Sequence, residues 1–195
     1  MKAIEVTNIA KSFNNIDYII KKFSYSFTPS FVYCLTGNNG SGKSTLLKML
    51  ALLSQPTSGS IFYNNINSTE TGFVAPYMNL YEDLTVLEMC DFHNSVKSNI
   101  IITNELYEKF EIDTLKSKTI QSLSSGQKQR VKLFLAAYSL PEILFFDEPS
   151  TNLDNNGFKI IERIIEDYKQ SDKILIIASN FSNEIDLSNV QIPIS

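Results

Sequence analysis

The chain has 195 residues, 43% hydrophobic and 19% charged, with 17 basic and 21 acidic side chains and a net charge of −4. That length suits one domain, or one domain with an inserted lobe, large enough to bury a core without a metal or disulfide staple. The composition excludes a disordered chain, and the acidic balance argues against nonspecific binding to nucleic acid or anionic lipid.

The N-terminal residues Met1–Val6 alternate in character and do not read as a signal peptide. No run approaches the roughly 18 apolar residues of a bilayer span. Ala3–Ile9 and Lys22–Phe27 alternate with period two, which predicts half-buried antiparallel strands around a turn at Asn14-Asn15. Phe31–Thr36 is continuously apolar, as in a strand buried on both faces. It contains Cys34, read as a buried strand residue; Cys90 falls on a helix face, and their spacing fits neither a disulfide framework nor a zinc site.

A Gly/Asn/Ser loop, Gly37–Gly42, then leads into a predicted helix over Lys43–Leu53. Pro56 and Gly59 mark a turn before a short strand, Ser60–Tyr63, and Gly72–Ala75 forms another strand, stopped by Pro76. Val86, Leu87, Met89 and Cys90, then Leu106, Tyr107 and Phe110, fall at helical spacing, so a mostly helical lobe is expected over about 77–123. A helix follows over Ser125–Leu140 with Ser124 or Ser125 as N-cap, then a buried strand, Glu142–Asp147. Asn155–Lys169 is an amphipathic helix with Ile160, Ile161, Ile164, Ile165 and Tyr168 on one stripe. Lys173–Ala178 is a further buried strand, and Val190–Ile194 an edge strand that tolerates Pro193. Strands alternating with helices after an antiparallel start imply an α/β fold with parallel members.

Three stretches carry chemistry. Gly37-Asn38-Asn39-Gly40-Ser41-Gly42-Lys43-Ser44 fits the phosphate-loop pattern G-x-x-x-x-G-K-[ST] between a strand and a helix. Backbone N–H groups of such a turn and the helix N-terminus form a concave anion site. Lys43 neutralises β- and γ-phosphate charge, and the Ser44 hydroxyl is a ligand for Mg²⁺. Ile143–Phe146 is an apolar strand that delivers Asp147 and Glu148 to the edge where α/β folds bind ligands. Asp147 is placed to hold Mg²⁺ through water and Glu148 to orient the attacking water. Leu123–Arg130 is the third stretch, an N-capped helix start one helix before Asp147.

Together these residues resemble the nucleotide-binding subunits of ABC transporters. Leu123–Gln127 resembles that family's LSGGQ signature, with Ser125 where the first glycine stands. Ser150–Asp154 resembles the D-loop, and Pro56–Ile61 and Leu84–Glu88 match the turn after the phosphate-loop helix and the start of the helical subdomain. Phe13 is placed like the aromatic residue that stacks on adenine. The resemblance implies a P-loop core with an antiparallel β subdomain and an inserted helical subdomain, all in one ABC ATP-binding domain over 1–195. It implies that Gly37, Asn38, Asn39, Gly40, Ser41, Gly42, Lys43, Ser44 and Thr45 bind ATP, with Ser44 and Asp147 on Mg²⁺. It further implies a head-to-tail dimer in which Ser124, Ser125, Gly126 and Gln127 of a second copy close on the nucleotide. A separate membrane-spanning subunit is the implied partner, which places the chain in the cytoplasm on the inner face of the cell membrane. Tyr77, Met78, Leu80 and Tyr81 match the region that lines the groove for a cytoplasmic helix of that partner; ordinary packing of the lobe accounts for them equally well.

Two positions depart from the family. Pro76 stands where a glutamine is expected, and proline offers no side-chain donor or acceptor. Asn180 stands where a histidine is expected; it donates a hydrogen bond but cannot carry a positive charge or shuttle a proton. Both bear on turnover, with Asn180 and Glu148 as the candidate catalytic residues. The sole histidine, His93, reads as a surface or interface residue of the lobe, and Lys128, Arg130 and Lys132 as a solvated helix face. Two other functions stay open: a soluble ABC ATPase acting on nucleic acid or the ribosome, disfavoured by the charge, and a nucleotide-gated module of low turnover. The short chain and simple C-terminus resemble the ATPase of the cytochrome c-maturation heme exporter type.

Overall fold

The computed structural model describes residues 2–14, 16–68, 70–97 and 100–195; Met1, Asn15 of the expected turn, and Ser98 and Asn99 within the expected lobe lie outside them. Strands β1 (Ala3–Ser12), β2 (Tyr18–Phe27) and β4 (Ser58–Asn64) form an antiparallel sheet in the order β2-β1-β4. β1 and β2 run longer than their alternation predicts. Register shifts between Val6 and Ile9 and between Ile9 and Lys11, with left-handed backbone at Asn8 and Lys22, break the period-two pattern without ending the pairing.

The second sheet is parallel throughout and has the order β5-β6-β7-β3-β8. It comprises β3 (Val32–Thr36), β5 (Thr71–Val74), β6 (Ile143–Asp147), β7 (Ile174–Ala178) and β8 (Val190–Pro193). Its two faces explain the unbroken apolar runs. Cys34, Leu144, Phe146, Leu175 and Ile177 enter one core, while Tyr33, Leu35, Ile143, Phe145 and Ile176 enter the other. Each such buried Leu, Ile or Phe contributes about 1.5–3 kcal/mol of transfer free energy. Helices α4 (Ser125–Ala137) and α5 (Asn155–Lys169) cover the first face, and the stripe on α5 points into it as expected. Helix α1 (Lys43–Leu50) and the antiparallel sheet cover the second. α1 stops short of Leu53 because Leu52 turns left-handed. β8 is an edge strand, where Pro193 sits without harm.

The expected lobe is only partly helical. Residues 77–85 are irregular, with turns at Tyr77 and Glu82-Asp83 and an isolated bridge from Thr85 to Thr119, and helix α2 (Val86–Lys97) begins at a capping box. The Glu88 carboxylate accepts from the Thr85 N–H at 2.8 Å, and the Glu88 N–H donates to Thr85 Oγ1 at 3.2 Å. Helix α3 (Asn104–Lys109) and two 3₁₀ turns, Asp113–Leu115 and Ile120–Ser122, complete the segment. A short helix, α6 (Ser182–Asp186), which no periodicity announces, links β7 to β8.

Candidate active site

Parallel pairing brings the C-terminal ends of β3, β6 and β7 to one edge, and most of the candidate residues follow directly from those ends. The loop after β3 is shaped by two glycines. Gly37 has φ 143°, and a Cβ there would stand 2.3 Å from the Ile194 carbonyl oxygen. Gly42 caps α1 at φ 100°, and a Cβ there would strike Ile20 at 2.7 Å and Ile19 at 2.8 Å. The β1–β2 hairpin therefore abuts the loop. Phe13 lies in that hairpin just past β1, 71% exposed, with Lys11 Nζ 5.2 Å from its ring centre.

Lys43 is buried and folds back over the loop, donating to the carbonyls of Gly37 at 2.8 Å and Asn38 at 3.1 Å. Asn39 and Gly40 are exposed, and Asn39 Oδ1 accepts from Asn180 Nδ2. Thr45 follows Ser44 in the first turn of α1, half-buried. Ser44 Oγ donates to Asp147 Oδ1 at 2.8 Å, which joins the phosphate-loop helix to the end of β6. Asp147 is 3% exposed, and burial pushes its carboxyl above the usual range against the hydroxyls of Ser44 and Tyr77 and the charges of Lys48 and Lys43. Glu148 follows in left-handed backbone, φ 45°, with its N–H donating to the Ala178 carbonyl at 2.9 Å. A glutamate there is strained, as functional residues at strand ends often are.

These residues suit a magnesium nucleotide. A hydroxyl and a carboxylate in contact are hard oxygen donors of the kind Mg²⁺ takes with phosphate and water. Among the described residues no group of three or more His, Cys, Asp or Glu could hold a metal alone. Ser41 Oγ is buried in the loop without a hydrogen-bond partner among those residues. That orphaned hydroxyl and the α1 N-terminus are a donor set that suits an anion.

The signature-like stretch stands apart. Ser124 is the N-cap of α4 and forms a capping box with Gln127: Gln127 N–H donates to Ser124 Oγ at 3.3 Å, and Ser124 N–H to Gln127 Oε1 at 3.0 Å. This leaves the N–H groups of Ser125 and Gly126, which no i−4 carbonyl reaches, directed out of the helix. Ser124 and Ser125 are exposed. Its nearest ties are to the stretch after β6: Gln129 Nε2 donates to the Pro149 carbonyl at 2.8 Å, and a Cβ on Gly126 would lie 2.9 Å from the Asn152 carbonyl.

Some residues differ from their sequence reading. Lys128, Arg130 and Lys132 are not a solvated face. Lys128 pairs with Glu82 at 2.9 Å, Arg130 with Glu111 at 2.7 Å and Asp154 at 2.9 Å, and Lys132 donates to the Pro76 carbonyl at 3.0 Å. His93 is half-buried and edge-on to Tyr138, with ring centres 5.8 Å apart; burial lowers its pKa to about 4. Two contacts at the site lie outside the sequence reading, which places Tyr77 only in the partner groove and does not single out Glu184. The Tyr77 hydroxyl donates to Asp147 Oδ2 at 3.2 Å. Glu184 is fully buried, its carboxyl pushed up by that burial, and accepts from the Ser150 N–H at 2.8 Å. It ties the stretch after β6 to the one after β7. The groove reading of Tyr77 does not point to Asp147, and nothing in the apolar pattern marks Glu184.

Comparison with known proteins matches residues 20–151 to a family model described as ABC transporter. The zinc import ATP-binding protein ZnuC of Buchnera aphidicola subsp. Baizongia pistaciae is 31% identical over 183 residues, covering 92% of this chain and 75% of that protein. The lipoprotein-releasing system ATP-binding protein LolD of Ehrlichia canis is 30% identical over 201 residues, covering 92% and 89%. Among solved structures, the dimeric ATP-binding cassette MJ0796 in a post-hydrolysis state with ADP and Pi superposes with a TM-score of 0.87. It covers 98% of this chain and 94% of that one at 22% identity, a likeness of fold.

Proposed function

This chain belongs to the ABC transporter family, and from that premise we propose how its residues bind and hydrolyse ATP. It is an ATPase subunit that pairs with a second cassette and works with a membrane-spanning partner. The loop Gly37–Thr45 takes the phosphates on its N–H groups, and Lys43 exchanges the carbonyls of Gly37 and Asn38 for β- and γ-phosphate oxygens. Ser44 and Asp147 hold Mg²⁺, which when bound neutralises phosphate charge. Glu148 accepts a proton from the attacking water, Asn180 donates to the γ-phosphate, and Phe13 stacks on the adenine. Ser124–Gln127 of a second copy close over the same nucleotide, offering the outward N–H groups of Ser125 and Gly126 and the positive end of α4. Among the described residues no helix is long and apolar enough to cross a membrane. The partner subunit holds the chain at the cytoplasmic face of the membrane.

The observation that carries this reading is the 2.8 Å contact of Ser44 with Asp147. Two motifs far apart in sequence meet there as a nucleotide and a metal require. The test is Lys43→Ala, measured by equilibrium binding of a fluorescent ATP analogue. Removing the ammonium from a partly desolvated triphosphate site weakens binding by about 100-fold or more; wild-type affinity in the variant sinks the assignment.

A further inference from the structure

Pro76 removes the glutamine that the family places beside the metal, yet the loop it opens sends the next side chain back into the site. The Tyr77 hydroxyl donates to Asp147 Oδ2 at 3.2 Å, while Ser44 Oγ holds Oδ1 at 2.8 Å. The two donors come from different elements and occupy both oxygens of one buried carboxylate. The terminal torsion of an aspartate is broad and two-fold, so a single donor leaves it free to rotate; two donors fix its plane.

The placement of Tyr77 is over-determined. Proline locks φ at position 76, and the Pro76 carbonyl accepts from Lys132 Nζ at 3.0 Å. The Met78 N–H donates to the Ala75 carbonyl at 3.2 Å and closes the turn. Lys48 Nζ, on the phosphate-loop helix, sits 4.2 Å from the centre of the Tyr77 ring. The ring is 51% exposed, but its hydroxyl reaches a carboxylate that is 3% exposed. A half-exposed tyrosine has no packing need for that contact.

We propose that Tyr77 is a positioning residue of the magnesium site, its phenol orienting Asp147 in place of the glutamine that Pro76 displaces. The inference rests on the reading of this site as one for ATP with Mg²⁺. Outer-shell donors of this kind set metal affinity by orienting a ligand, without themselves touching the metal.

Tyr77→Phe removes the hydroxyl and keeps the ring under Lys48. Binding of a fluorescent ATP analogue to the full chain is measured with Mg²⁺ and again with EDTA, so that the readout needs no turnover. The gain in affinity given by Mg²⁺ falls about 3- to 10-fold in Tyr77→Phe, while metal-free binding stays at the wild-type value. The double variant Pro76→Gln, Tyr77→Phe recovers the gain. An unchanged Mg²⁺ gain in Tyr77→Phe overturns the proposal. So does an equal loss with and without metal, which marks a structural role, or a double variant that recovers nothing. Wild-type chain that binds nucleotide in neither condition overturns the nucleotide reading itself, and this inference with it.

Discussion

The stretches 37–44 and 123–127 are alike in composition, rich in glycine and serine, and each opens a helix. The fold treats them in opposite ways. The first is braced from outside by the Ile194 carbonyl behind Gly37, the isoleucines of β2 against Gly42 and Asp147 on Ser44. The second is held mainly by its own capping box of Ser124 and Gln127, with Ser124 and Ser125 exposed. A half-site that works inside its own chain is built into the core, where tertiary contacts fix it before any ligand arrives. A half-site that serves another copy needs only a well-started helix and an open face.

Substitutions sharpen that contrast. Gly37→Ala places a Cβ against a backbone carbonyl in a left-handed region and is expected to destabilise the fold by about 2–4 kcal/mol. Thermal melts would read this as a drop of roughly 5–10 °C. A melt within 1–2 °C of wild type would mean that the loop is not held by its surroundings. Ser124→Ala removes one cap and is expected to cost only about 1 kcal/mol, yet to reduce the ATP-dependent dimer seen by size-exclusion chromatography. Loss of global stability on the scale of Gly37→Ala would erase the distinction between the two regions. The smallest effect is expected at Asn180, which touches the braced half-site through Asn39. Asn180→His should raise steady-state phosphate release by about 2- to 5-fold with ATP affinity unchanged, less than one full transition-state hydrogen bond. Equal or lower turnover would show that the pair Asn180–Asn39 is itself adapted to the reaction.

What the sequence revealed divides along the same line. The continuous runs at Phe31–Thr36 and Ile143–Phe146 mark doubly covered strands because parallel strands bury both faces. The phosphate loop is legible because each of its residues answers a local demand. The lobe is less so: a mostly helical segment is expected from about 77, although helical spacing begins only at Val86, where the Thr85–Glu88 box starts α2. Lys128 and Arg130 look solvated in sequence because their acidic partners, Glu82 and Asp154, lie far away in the chain. The role of Tyr77 at Asp147 and that of Glu184 were hidden for the same reason. Their meaning is a contact with Asp147 or Ser150 that no local pattern encodes.

Glu148 carries a cost in stability. Its left-handed backbone costs a non-glycine residue about 1–2 kcal/mol, whereas asparagine tolerates that conformation. Its charge also bears on buried Glu184, raising that carboxyl further. Glu148→Asn is therefore expected to raise the melting temperature and, on the proposed mechanism, to abolish turnover. On the proposed mechanism the strained backbone and the reactive carboxylate are one residue, so stability and turnover at position 148 trade against each other.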